Sequence, residues 1–302
     1  MLAVPGSASR VATVRYAPPS IGKAIGLHRV DDPLSLRSSV ALVVDAANRE
    51  VVYQKNASAV LPIASITKLV TAMVVIDSGA AMNEMIVVSQ EDVDTERWSS
   101  SRLRLGTRLS RREMLQLALM ASENRAANAL AHAHPAGYAA FIEAMNAKAR
   151  SVGMESSRFI EPTGLSSSNV SNARDLSRLV LAAAAYPTLA RFSTASELTV
   201  DTGYRQLTFR NTNSLVDRDD WDIGLQKTGY ISEAGRCLVM KAKVGGRPMV
   251  MVLLDSTGKY SRFADAKRLR RWLERESPSA HGSKIGPQTL GAPAAPVAAH
   301  EG

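Results

Sequence analysis

The sequence predicts an α/β fold. An antiparallel sheet is built from both ends of the chain and flanked by helices, with a mostly helical insert between its two parts. Three observations carry this. Runs of β-branched and apolar residues bounded by turn signals cluster at 39–55 and again at 197–254. Between them, apolar residues recur at helical spacing. Hydrophobic residues make up 45% of the 302, enough for a large buried core, and a single cysteine excludes a disulfide framework.

Residues 1–37 show no period and read as a flexible leader. Residues 39–45 and 50–55 form a hairpin turning at Ala46–Asn48. A central helix is predicted over 65–78, ending near Gly79. Pro62 stands just ahead of it, where a missing N–H does no harm. Leu69, Val70, Met73, Val74 and Ile76 give that helix an apolar surface too wide for exposure. Residues 80–109 are mixed, with a strand-like piece at 85–89. Ser110-Arg-Arg-Glu113 is a capping box opening a helix with Met114, Leu115, Leu117, Leu119 and Met120 on its core side. Further helices are predicted over 125–132, 138–150 and from Asn172 to a stop at Pro187. Strands return at 197–200, 204–210, 222–229, 236–244 and 249–254, with Gly245-Gly246 as a tight turn. A last helix spans 260–276 with Phe263, Leu269 and Trp272 on one side. The Pro-, Gly-, Ala- and Ser-rich tail 277–302 is expected to be disordered. One folded domain over 38–276 follows.

A net charge of +9 and a pI near 9.8 allow nucleic acid, an anionic envelope polymer or an anionic membrane as partner. No nucleic-acid motif is present and aromatic residues are only 5%, so nucleic acid is not expected. Arg102, Arg104, Arg108, Arg111 and Arg112 read as a solvated basic face, with attraction of an acidic substrate as the alternative. No apolar run reaches 18 residues, so no transmembrane anchor is expected. Residues 1–30 are broken by Pro5, Arg10, Arg15, Pro18-Pro19 and Lys23 and lack a signal-peptide core. Either the protein is cytoplasmic or its leader is missing from this sequence. Cys237, in an apolar strand, reads as a core residue rather than a reactive thiol.

Two groups in the central helix dislike burial. Ser65 and Lys68 lie three residues apart, so one turn puts both on the same face. A lysine with few waters around it, near a positive helix start, loses its proton more easily and can deprotonate a neighbouring serine. Ser-x-x-Lys alone is a weak pattern. It recurs at Ser20–Lys23, in a polar irregular stretch, and at Ser256–Lys259, after a strand; a snorkelling lysine at a helix start would also explain it. Ser122-Glu-Asn124 sits in the corner between two helices, where hydroxyl and amide could relay a proton and hold a substrate amide. Helix capping explains it equally, and Ser167-Ser-Asn169 repeats the pattern. Lys227-Thr-Gly229 occurs once, opening an apolar strand; Lys227 and Thr228 could hold a carboxylate, and Gly229 would let a ligand backbone approach, although the tripeptide alone reads first as an ordinary entry from loop to strand.

Taken in order, Ser-x-x-Lys, Ser-x-Asn and Lys-Thr-Gly match the set found in penicillin-binding proteins and class A β-lactamases. Residues 37–275 resemble the low-molecular-mass penicillin-binding proteins of the D-alanyl-D-alanine carboxypeptidase and endopeptidase family. The resemblance rests on 63–68, 118–127, Pro162-Thr-Gly-Leu165, Asn211-Thr-Asn213 and 226–238. It implies a serine β-lactamase/transpeptidase-like fold and a serine DD-peptidase working without metal or cofactor. Ser65 would attack the carbonyl of a D-Ala-linked bond in peptidoglycan, and Lys68 would take its proton. Ser122, held near Lys68 and Lys227, would protonate the leaving amine, and Asn124 would position the substrate backbone. Lys227 and Thr228 would bind the terminal carboxylate of a stem or of a β-lactam, which would act as a covalent inhibitor, and Gly229 and Tyr230 would complete the substrate-binding strand. The N–H groups of Ser65 and Tyr230 would form an oxyanion hole. The stretches after Ser122 and Lys227 look most like the endopeptidase branch, and a periplasmic location follows from the substrate. Carboxypeptidase, β-lactamase and non-catalytic wall-binding readings remain as alternatives. For a β-lactamase, Glu161 would have to activate the deacylating water; otherwise it reads as a surface carboxylate.

Overall fold

A computed structural model describes residues 18–276 and the backbone of Gln288–Thr289. The chain opens with a helical turn, α1 (Ile21–Ala24), then the hairpin β1 (Ser38–Asp45) and β2 (Glu50–Lys55). Short β3 (Leu61–Pro62) leads through a 3₁₀ turn, Ala64–Thr67, into α2 (Lys68–Asp77). There follow β4 (Met85–Val87), β5 (Arg108–Ser110), α3 (Arg111–Met120), α4 (Asn124–His132) and α5 (Gly137–Ser151). Then come β6 (Val170–Ser171), α6 (Ala173–Ala183), α7 (Pro187–Thr194), β7 (Glu197–Asp201) and β8 (Gln206–Arg210). β9 (Asp222–Ile231), β10 (Gly235–Val244), β11 (Arg247–Ser256) and α8 (Ser261–Glu276) close the domain, and β12 (Gln288–Thr289) pairs with the outer side of β2.

The main sheet runs β12-β2-β1-β11-β10-β9, with every described pair antiparallel. β1 lies at its centre beside β11, so the two chain ends do build one sheet. The pleat divides β1 between two layers. Val40, Leu42 and Val44 join the large core beneath α2, α3, α4 and α6, while Ala41 and Val43 face the core capped by α8 through Phe263, Leu269 and Leu273. Burial on both faces is why β1 reads as an unbroken apolar run. Gly245 and Gly246 take φ of +56° and +79°, as a two-residue hairpin turn needs. Ser110 and Glu113 form the expected capping box of α3.

Four expectations change. The arm expected over 1–37 is structured from residue 18 onward. Asp32 accepts from the N–H groups of Leu34 and Leu36 and pairs with Lys55 at 2.7 Å, both side chains nearly buried, which ties the arm to β2. The helix expected to run as far as Pro187 ends at Ala183, and Pro187 starts a separate helix, α7, as its first residue, a position where proline costs no hydrogen bond. Among the described residues, the strands β7 and β8 pair only with each other, outside the main sheet. The arginines do not make one basic face: Arg111 is buried and bonds Glu84 at 2.6 Å, and Arg102 stacks over Phe209 and donates to the Thr208 carbonyl. Cys237 is fully buried as expected, and burial pushes its thiol up to about 12. The tail over 277–302 lies outside the described residues apart from β12.

Candidate active site

Ser65 stands on the 3₁₀ turn before α2, not on the α-helix itself. The residue before it, Ala64, has φ +48°, a left-handed conformation that costs a non-glycine residue about 1 kcal/mol or more. Neighbours hold it there. Gly164 has φ +80°, and a Cβ on it would lie 1.9 Å from the Ala64 oxygen and 2.8 Å from Ser65 N. From the other side, a Cβ on Gly229 would lie 3.1 Å from the same nitrogen. Two glycines thus let separate pieces of chain close on the backbone of Ser65.

Lys68 begins α2 and is completely buried. Its Nζ lies 3.0 Å from Ser65 Oγ, 2.7 Å from Asn124 Oδ1 and 2.7 Å from the Thr163 carbonyl. Burial lowers its pKa to about 8, against the opposing pull of Glu161 and Glu123. The three partners are not equivalent. An amide oxygen and a carbonyl oxygen can only accept, so each takes an N–H. In the neutral amine that leaves the lone pair directed at the Ser65 hydroxyl, the geometry of a general base.

Ser122 sits in the corner between α3 and α4 with φ +59°. Its Oγ accepts from Lys227 Nζ at 2.9 Å. Asn124, two residues on, is the hydrogen-bond partner of Lys68. Neither of these two residues is a cap: the N-cap of α4 is Glu123, and its side chain makes no capping bond. Asn124 is engaged at both ends of its amide, with Oδ1 on Lys68 and Nδ2 donating to Ser99 Oγ at 3.1 Å.

Lys227 is fully buried on β9, the last strand of the sheet. Its Nζ donates to Ser122 and to the Thr228 carbonyl, each at 2.9 Å. Burial, with the charges of Lys68 and Arg262 nearby, holds its pKa well below the ordinary lysine value. Gln226 N donates away from β10, to Ser193 Oγ. Strand alternation therefore turns the N–H of Thr228 and Tyr230 to the same free side. The eight residues anticipated from sequence, Ser65, Lys68, Ser122, Asn124, Lys227, Thr228, Gly229 and Tyr230, line this one region.

Other contributors were not anticipated. Thr163 supplies a carbonyl to Lys68, and Ser99 orients Asn124. Arg97 donates to the Leu165 carbonyl and pairs with Glu233 at 3.0 Å, linking the two chain segments that flank Ser65. Arg262 on α8 is buried, with Nε unpartnered among the described residues. Pro162-Thr-Gly-Leu165 was visible as a motif, whereas Ser99, Arg97 and Arg262 carry no local signal.

Glu161 is partly buried, and its carboxylate is taken up by its own loop. Its oxygens accept from Thr163 N and Gly164 N, both at 2.6 Å, and from Asn169 Nδ2 at 2.8 Å. It shapes the loop that presses Gly164 onto Ser65, so the reading of Glu161 as a deacylating base has no geometric support.

A family model for peptidase S11, D-alanyl-D-alanine carboxypeptidase, matches residues 28–258. The chain belongs to the D-alanyl-D-alanine carboxypeptidase family. Among relatives of this S11 chain, the Escherichia coli "D-alanyl-D-alanine endopeptidase" is 46% identical over 270 residues, covering 89% of this chain and 87% of that protein. The Pseudomonas aeruginosa protein of the same description is 51% identical over 241 residues, covering 79% and 78%. A solved D-alanyl-D-alanine carboxypeptidase from Mycobacterium tuberculosis superposes with TM-score 0.74 at 26% identity, covering 85% of this chain and 97% of that one. Penicillin-binding protein D2 of Listeria monocytogenes, in its cefotaxime-bound form, gives 0.71 at 26% identity, covering 80% and 98%. The S11 fold is thus that of penicillin-binding proteins, as the motif set implied.

Proposed function

We infer that this S11 chain is a serine DD-peptidase that opens D-Ala-linked cross-links in peptidoglycan through an acyl-enzyme on Ser65. The observation that carries the reading is the 3.0 Å contact between Lys68 Nζ and Ser65 Oγ, with the other two amine contacts going to obligate acceptors. Neutral Lys68 takes the Ser65 proton as Oγ bonds to the substrate carbonyl carbon. The oxyanion meets the N–H groups of Ser65 and Tyr230; such a donor is typically worth about 10²–10³ in rate. Ser122 accepts from Lys227, so it passes its own hydrogen to the leaving amine while taking one from Lys227. The C–N bond breaks, and water later cleaves the ester. Lys227 and Thr228, with Arg262 behind them, give the cleft a positive end suited to a carboxylate. Chemistry at this site needs no metal or cofactor.

The endopeptidase assignment is supported by the two relatives of that description at 46% and 51% identity, against carboxypeptidases at 26–29%. Covalent inhibition by β-lactams is supported by the Listeria structures in their cefotaxime- and ampicillin-bound forms. Among the described residues no helix is long and apolar enough to cross a membrane. A periplasmic location follows from the substrate. The test is digestion of purified cross-linked muropeptide dimers and of a monomeric pentapeptide, with products resolved by mass. Cleaved dimers are expected. Pentapeptide trimmed to tetrapeptide with dimers intact makes the protein a carboxypeptidase instead.

A further inference from the structure

Asn211-Thr-Asn213 is one of the stretches on which the family resemblance rests, yet no step above uses it. The two asparagines fix the backbone between β8 and β9. Asn211 Nδ2 donates to the carbonyls of Ser193 at 2.9 Å and Ala195 at 2.7 Å, and its Oδ1 accepts from Gln226 Nε2 at 2.9 Å. Asn213 Oδ1 accepts from Leu215 N at 3.0 Å. Thr212 N donates to the carbonyl of Met120, the last residue of α3, at 3.1 Å. So held, Thr212 Oγ1 lies 2.6 Å from Thr228 Oγ1 and 3.4 Å from the Met120 oxygen.

Each hydroxyl has one proton to donate, so two arrangements exist. In the first, Thr228 donates to Thr212, and Thr212 donates to Met120 over 3.4 Å. Thr228 then turns only lone pairs toward the cleft and repels an anion. In the second, Thr212 donates to Thr228 across 2.6 Å, and the Thr228 proton is left for a ligand. The second gives up only a long contact to an oxygen that already accepts from Thr212 N. It also polarises the Thr228 hydroxyl, which strengthens its own donation.

We propose that Thr212 is a positioning residue that donates its proton to Thr228 and so makes Thr228 a hydrogen-bond donor to the carboxylate of the bound ligand. The ligand class is a peptide stem or β-lactam ending in a free carboxylate. The proposal rests on the reading of Lys227 and Thr228 as the carboxylate site. A valine at 212 has nearly the shape of threonine and leaves Thr228 its proton, but it cannot donate the bond that orients and polarises that hydroxyl, whereas a serine can.

The experiment measures the second-order rate of acylation of the full chain by benzylpenicillin, and by the same compound with its ring carboxylate converted to a primary amide. Wild type, Thr212→Val and Thr212→Ser are compared, with thermal melting as a check on folding. Thr212→Val is expected to slow acylation by the free acid about three- to tenfold, the effect of one neutral hydrogen bond. Thr212→Ser should stay within about twofold of wild type, and the amide, a neutral and weaker acceptor, should lose less in Thr212→Val than the acid does. An equal loss with acid and amide, no loss in Thr212→Val, or a serine no better than valine overturns the assignment of Thr212 alone. A wild-type protein acylated by neither compound overturns the reading of the site and this inference with it.

Discussion

Asn124 Oδ1 accepts from Lys68 Nζ at 2.7 Å, closer than the 3.0 Å between that amine and Ser65 Oγ. The amide therefore orients the base before any substrate arrives. Replacing Asn124 by alanine leaves a buried amine short of one acceptor. A hydrogen bond that orients a neutral amine contributes about 0.5–1.5 kcal/mol, so penicillin acylation should fall roughly 3- to 10-fold. Asn124→Asp should fail differently. A carboxylate at that distance holds Lys68 protonated and moves the alkaline rise in acylation to higher pH. Stopped-flow labelling across pH separates the two variants.

The wild-type pH profile has a definite sign. Only neutral Lys68 can take the Ser65 proton, and burial lowers its pKa to about 8. Acylation should rise with pH through that value and level off above it. Lys68→Arg should show no acylation at any pH, because a guanidinium does not deprotonate in this range. A flat wild-type profile between pH 6.5 and 9.5 would remove Lys68 from the role of base.

The same lysine leaves a mark on stability. Lys68 titrates at about 8 in the folded chain and near its ordinary 10.5 when unfolded. Between these values the unfolded chain binds more protons, so stability rises with pH across that window. Below it the cost of burying the charge is fully present. Lys68→Met should lack this contribution, so the stability difference between mutant and wild type should be largest near neutral pH and shrink toward pH 10. Denaturant titrations at several pH values read it directly.

Those predictions draw on residues that local patterns made visible. Ser65 and Lys68 share a face because of helical spacing, Ser122 and Asn124 share a corner, and Lys227, Thr228 and Gly229 are consecutive. The sheet strands were legible for the same reason, since pleating and burial on two faces leave a signature within a few residues. What stayed hidden depends on where the chain travels. Thr163 acts through a backbone carbonyl, which any residue has. Ser99, Arg97 and Arg262 act across long loops. Arg111 looked like one of five surface cations until the packing of α3 buried it against Glu84. The pairing of β7 with β8 rather than with the main sheet is also tertiary, because a period of two names a strand but not its neighbour.

Gly164 and Gly229 differ in how tightly they approach Ser65. At Gly164 a methyl group would sit 1.9 Å from the Ala64 oxygen and would require a non-glycine residue at φ +80°. Gly164→Ala must therefore displace the turn that carries Ser65. Acylation should drop by a hundredfold or more, about 3 kcal/mol of lost transition-state stabilisation, with a lowered Tm. At Gly229 the nearest atom would be the Ile63 oxygen at 3.0 Å, a contact relieved by a shift of a few tenths of an ångström. Gly229→Ala should keep its Tm and lose less activity. Equal losses in the two variants would contradict this account of the turn.

Glu161 separates a structural carboxylate from a water-activating one. Its oxygens already accept from Thr163 N, Gly164 N and Asn169 Nδ2, so Glu161→Gln sets an amide NH₂ against groups that themselves donate. Leaving buried donors unpaired costs about 1–3 kcal/mol each, and the loop should loosen its hold on Ser65. Acylation should slow and Tm should fall, while the lifetime of any acyl-enzyme formed stays within a few-fold of wild type. A base for deacylation would give the reverse pattern: acylation at the wild-type rate followed by a trapped acyl-enzyme, visible as a stable mass increase. Intact-protein mass spectrometry after a penicillin pulse distinguishes the two. A trapped adduct in Glu161→Gln would restore the β-lactamase-like role that the hydrogen bonds of this loop argue against.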